Sequence, residues 1–194
     1  MLTFAAAVFF MIITPGPGVL SVAGVGSGYG FAAGMRYMLG LLIGTNLVAL
    51  AVVSGLASVV FSYPYIRTVL LAASVAYLGY LALRIALSGS NITFAFANKA
   101  PGVIDGISLQ AVNPKAYVVN TAFFSGFAIW PASLPTEVLI KFIIINAIWI
   151  PVHMLWARAG VSLKKLALSR RQQKWINITM ATALLGVVVL AAIG

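Results

Sequence analysis

The sequence predicts an all-α fold: a polytopic membrane protein of six transmembrane helices, arranged as two inverted three-helix repeats. Three observations predict it. The 194 residues are 62% hydrophobic and only 7% charged, with a mean hydropathy of +1.09. A soluble domain carries about 25% charged residues, and one of this size cannot hide so much apolar surface in a single core. The apolar runs are long and continuous, without the alternation of an outer-membrane barrel. Two of these runs, the first and the fourth, are interrupted by proline at equivalent points.

A span needs roughly 20 mostly apolar residues. In order, helix 1 covers about 2–26, helix 2 about 36–61 and helix 3 about 65–87. Helix 4 covers about 106–128, helix 5 about 137–158 and helix 6 about 174–193. No separate soluble domain is left over, so residues 1–194 form one transmembrane domain with repeats at about 1–87 and 106–193. The opening "MLTFAAAVFF" lacks the positive n-region of a signal peptide and reads as a retained first span.

The net charge of +10 follows the loops. Arg36, Arg84, Lys99, Arg158, Lys164, Lys165, Arg170, Arg171 and Lys174 hold or border the links after helices 1, 3 and 5, whereas only Arg67 and Lys141 lie near the other face. The positive-inside rule puts the three basic links in the cytoplasm. Both termini are then periplasmic. These cations read as topology determinants and lipid-headgroup contacts rather than as a nucleic-acid surface.

Much chemistry is unsupported. The chain has no cysteine, which removes disulfides and thiol catalysis, and one histidine, His153, which removes a histidine metal cluster. Its only carboxylates, Asp105 and Glu137, fall at predicted helix ends, so no acid pair is set for hydrolysis. No G-x-G-x-x-G runs through Gly24, Gly26, Gly28, Gly30 and Gly34, and no strand precedes them. No metal or cofactor is expected. Gly40 and Gly44 form a G-x-x-x-G that favours close helix packing. Such glycine faces suit internal packing or a homodimer.

Within apolar helices, Asn46 and Asn146 suit interhelical hydrogen bonding or a cavity wall. His153, in "WIPVHMLW", reads first as a packed or interfacial residue, with a pathway or proton-carrying role as the alternative.

The first break is "TPGPG", Thr14, Pro15, Gly16, Pro17 and Gly18. Proline removes an N–H and displaces the carbonyl four residues earlier, which in lipid must find another partner. A simple kink would explain it alone. Helix 4 repeats the construction in "SLQAVNPKAYVVN": Thr14–Pro15 and Asn113–Pro114 each read as a side-chain N-cap followed by proline at the first helical position. A restarted helix presents free N–H groups and about half a positive charge. Helices 1 and 4 open the two halves, and three spans per half make the second inverted relative to the first. That is the plan of transporters whose broken helices meet near the midplane. Lys115 follows the second break, where the helix dipole disfavours a cation. It reads as facing a cavity and meeting an anionic group such as a substrate carboxylate, with Gln110 beside it as a further wall candidate.

At these residues the chain resembles the LysE-type (lysine exporter, homoserine/threonine resistance) translocators, small amino-acid exporters of the bacterial inner membrane. The resemblance covers nearly the whole chain. It rests on "TPGPG" in helix 1, "GLLIGTN" in helix 2, "AYLGYLALR" in helix 3 and "GISLQAVNPKAYVV" in helix 4. The chain departs from the family pattern in three places. Gly18 stands where a polar residue often follows Pro-Gly-Pro, and Thr45–Asn46 where many members carry an acid. "FFSGFAIWP" also replaces a Pro- and Phe-containing close to helix 4.

The resemblance implies an exporter of an amino acid or small derivative, working by alternating access on the proton or electrical gradient. The residues add a carboxylate-compatible centre at Thr14 to Gly18, Asn113, Pro114 and Lys115, with Asn46, Gln110 and Asn146 as weaker wall candidates. A passive channel or facilitator and a non-transporting structural subunit are the rival readings. An enzyme lacks a catalytic constellation.

Overall fold

The computed structural model describes residues 1–14, 16–55 and 99–165, with scattered positions between 65 and 80 and between 171 and 182. Apart from those positions, the expected helices at 65–87 and 174–193 lie outside the described residues, as do Pro15, Arg84 and the C-terminus at Gly194. Every regular element among the described residues is a helix.

The first expected span is two helices. Helix α1, Leu2–Ile13, buries Phe4, Val8 and Ile12, one face at i, i+4 and i+8. It stops at Thr14, whose N–H and hydroxyl both turn back to the Phe10 carbonyl. Helix α2, Pro17–Tyr29, then starts from an extended Gly16. The two meet at a 52° bend. The restart therefore falls on Gly16–Pro17, not on Thr14–Pro15. Thr14 ends the first helix rather than capping the second, because its hydroxyl is spent on the preceding turn. No side chain caps α2.

Gly30 turns the chain into α3, Phe31–Val53, with φ +89°, a left-handed conformation that glycine adopts without a Cβ clash. This helix begins five residues earlier than the apolar run suggested and ends at Ser54–Gly55, before the expected 61.

Helix 4 is also broken. Helix α4, Val103–Val112, is anchored by Asp105, whose carboxylate accepts from the Gly102 N–H at 2.7 Å. Helix α5, Pro114–Ser125, starts as expected: Pro114 stands at the first position and the Asn113 carbonyl oxygen (Oδ1) accepts from the Lys115 N–H at 3.1 Å. Helix α6, Leu134–Lys165, is one continuous 32-residue helix with Pro151 inside it, longer at both ends than expected.

Helices α3 and α6 are each long and apolar enough to cross a membrane, and α1 with α2 adds a third when the bent pair is counted as one span. Leu39, Ile43, Leu47 and Leu50 form an exposed stripe on α3, as do Leu139 and Ile143 on α6. A bilayer is the solvent that such faces require.

Helix α3 packs mainly on α4, and α2 on α6. Glycine permits both approaches. A Cβ on Gly106 of α4 would stand 2.5 Å from the Tyr37 carbonyl of α3, and one on Gly160 of α6 would collide with the Ala23 carbonyl of α2. Gly40 lies against Val103 and Gly44 against Gln110, so the G-x-x-x-G packs α3 onto α4 within the chain. Lys141, expected near a loop, is instead 1% exposed: Glu137 lies one turn before it and neutralises it at 2.7 Å.

Candidate functional site: a cavity between two helix breaks

The two breaks meet. The Lys115 ammonium, at the start of α5, donates to the Thr14 carbonyl at the end of α1 across 2.9 Å. That carbonyl is available because α1 stops there and the chain bends away. Gly16 gives the lysine its space: a Cβ there would lie 2.9 Å from Lys115 Cδ and 3.0 Å from Nζ.

Beside this contact is a cavity of about 60 Å³. One water needs roughly 10–15 Å³ on this measure, so the cavity admits several waters or a small solute. All six helices and both breaks contribute to its wall. Thr14, Gly16 and Gly18 come from the first break, and Thr45 from α3. Gln110 and Asn113 come from the second break, with Lys115 and Asn120 from α5 and Trp149 and His153 from α6. Apolar surface from Met11, Ile12, Val19, Val119, Phe123 and Ile145 completes it.

The polar wall is ordered by local bonds. The Asn113 side-chain amide donates to the Gln110 side-chain oxygen at 2.8 Å, while its own oxygen caps α5. Asn120 is tied to the Ala116 carbonyl at 2.7 Å. The His153 ring stacks on Trp149, with ring centres 3.5 Å apart and planes 13° apart, and its Nδ1 lies 3.0 Å from the Trp149 carbonyl. No aspartate or glutamate lines the cavity. Its electrostatics therefore come from Lys115 and the N-terminus of α2, which no side chain caps. An anionic group is the chemical complement of such a space. No group of three potential metal ligands occurs among the described residues.

Of the residues singled out in the sequence, Thr14, Gly16, Gly18, Gln110, Asn113 and Lys115 share this wall. Pro17 and Pro114 stand behind it as the first residues of α2 and α5. Pro15 lies outside the described residues. Asn46 and Asn146 are not on the wall. They hold each other in a reciprocal pair of side-chain hydrogen bonds, both 2.9 Å, that ties α3 to α6. Asn120 and Trp149 were not singled out, Thr45 was named only as a departure from the family pattern, and His153 was given first to packing. One signal pointed to two of them: Ile145, Trp149 and His153 follow the i, i+4, i+8 spacing of a single helix face, and all three line the cavity.

Helices apolar and long enough to cross a membrane, with a polar cavity where two helix breaks meet, suit a helical membrane translocator. The chain matches the family model of the LysE type translocators over residues 9–194, and it belongs to that family. No curated protein and no solved structure gives a match.

Proposed function

We propose that the chain exports an amino acid or a small amino-acid derivative across the bacterial inner membrane, by alternating access driven by the proton or electrical gradient. One observation carries this reading: two helix breaks from distant parts of the chain meet at a cavity where Lys115 is, among the described residues, the only charged wall residue. A substrate carboxylate would replace the Thr14 carbonyl as partner of the ammonium. A charged acceptor makes the stronger bond.

A single transporter domain of six spans in two inverted repeats, about 1–87 and 106–193, fits the reading. Two contacts between the halves support that symmetry. Asn46 and Asn146 are 100 residues apart and Thr14 and Lys115 are 101 apart, so each pair joins one half to a nearby position in the other. A reciprocal pair such as Asn46–Asn146 is what a residue makes with its own equivalent across a two-fold axis.

The deciding experiment overexpresses the chain, screens efflux of a panel of amino acids, and repeats it with Lys115→Met. Export falls strongly at equal membrane abundance. Normal export by that variant removes the site, and efflux that only follows the substrate gradient makes the chain a facilitator. For topology, a reporter fused after Gly194 reads periplasmic. A cytoplasmic reading removes a span or reverses the orientation.

A further inference from the structure

His153 is the buried polar group that the carboxylate reading leaves unused. It is 4% exposed and sits on the cavity wall. Its Nδ1 faces the Trp149 carbonyl. A carbonyl only accepts, so Nδ1 carries a proton, and in the neutral ring Nε2 is left with a lone pair. Nε2 faces Gly18, where a Cβ would stand 3.3 Å from it. Among the described residues, Nδ1 is the ring nitrogen with a hydrogen-bond partner.

The cavity thus has two poles of opposite hydrogen-bonding character. Lys115 donates beside Gly16, and His153 accepts beside Gly18. Gly16 and Gly18 are two residues apart on one strip of backbone, so their Cα atoms lie no more than about 7 Å apart. Both poles thus flank one short strip of backbone, within reach of hydrogen bonds of about 2.8 Å from a single small group carrying a carboxylate and an amine on one carbon. No wall carboxylate competes for the amine.

We infer that His153 recognises the substrate's amine: Nε2 accepts an N–H from the ammonium group of an α-amino acid whose carboxylate is held at Lys115. This rests on the proposed export function and adds what selects the substrate within it. The Trp149 carbonyl sets the tautomer, stacking on the Trp149 ring holds the imidazole plane, and glycine at 18 keeps the approach open. Small α-amino acids are the substrate class that the cavity volume admits.

The test is titration of the purified chain in lipid nanodiscs with the protein amino acids, each paired with the carboxylic acid of the same skeleton lacking the amine. The wild-type chain prefers the amine-bearing member by at least about tenfold, the lower end for a hydrogen bond to a charged group. His153→Leu brings that preference close to one. His153→Gln, which returns an acceptor oxygen near the Nε2 position, restores part of it. Gly18→Ala, which puts a methyl in front of Nε2, lowers it from the opposite helix. If His153→Leu does not fold, the Gly18→Ala ratio decides alone. An unchanged preference in the folded variants overturns the inference while leaving export intact. Lys115→Met separates the two readings, because it weakens both members of each pair together. Failure of every amino acid to bind the wild-type chain overturns the export reading and this inference with it.

Discussion

Two lysines sit among the packed helices, and the protein satisfies them differently. Lys141 is 1% exposed and neutralised by Glu137 at 2.7 Å. It also donates to the Phe124 carbonyl at 3.1 Å and lies 5.9 Å from the Phe4 and Phe124 ring centres. Glu137 in turn accepts from the Trp130 N–H, so the pair joins the end of α5, the link and the start of α6. Lys115 has no such carboxylate. Among the described residues its ammonium meets a neutral carbonyl, beside a cavity. A buried cation that owns its counter-ion is structural. One held by a carbonyl can exchange that partner for an arriving anion. The same residue type is thus a staple at one place and, on the proposed reading, a binding centre at the other.

The contrast breaks most visibly at the staple. Lys141→Met strands Glu137 without its cation, and it gives the largest fall in thermal stability of these variants, read by melting the detergent-solubilised chain. Adding Glu137→Gln recovers most of the loss, because a neutral pair needs no counter-ion. Lys115→Met should do the reverse. Its melting temperature stays near that of the wild type while export falls roughly ten- to a hundredfold, the range for a lost hydrogen bond to a charged group.

Smaller effects test the frame that holds the two breaks together. Gly160→Ala drives a methyl into the Ala23 carbonyl and parts α2 from α6. Overpacking of this kind costs about 1–3 kcal/mol, measured as a shift in unfolding. Asn46→Leu and Asn146→Leu each remove the α3–α6 pair for roughly 0.6 kcal/mol, with an upper bound near 1.7. The double variant should be no worse than either single one, since both remove the same bonds.

Particular residues show where sequence reading stops. Asn113–Pro114 was legible as a helix restart because cap and proline are neighbours and act locally. The first break offered two prolines, and which one opens α2 depended on where the Thr14 hydroxyl bonded. It bonded backwards, to Phe10. Asn46 and Asn146 suited a wall and an interhelical bond equally, and only the facing of α3 and α6 separated the two. His153 was legible as an anomaly but not as a wall residue, because that depends on how α6 is rotated against Gly18 of α2. Gly18 departs from the family pattern at the position where it makes room for that ring.

The sequence by itself determined the solvent, the broken spans and the family. Hydropathy dictates burial in lipid, and proline's missing N–H weakens a helix, breaking it at Pro17 and Pro114 but not at Pro151, which stands inside the continuous α6. It also placed Lys115 directly after a break. The tertiary structure alone decided which groups face one another: Lys115 and Thr14, His153 and Gly18, Asn46 and Asn146. The physical reason is register. Between apolar helices in lipid, hydrophobicity does not choose the facing side. Close backbone contacts at Gly106 and Gly160, and the packing around them, set each helix's rotation and depth. Those contacts are properties of pairs of helices, and no single segment of sequence contains them.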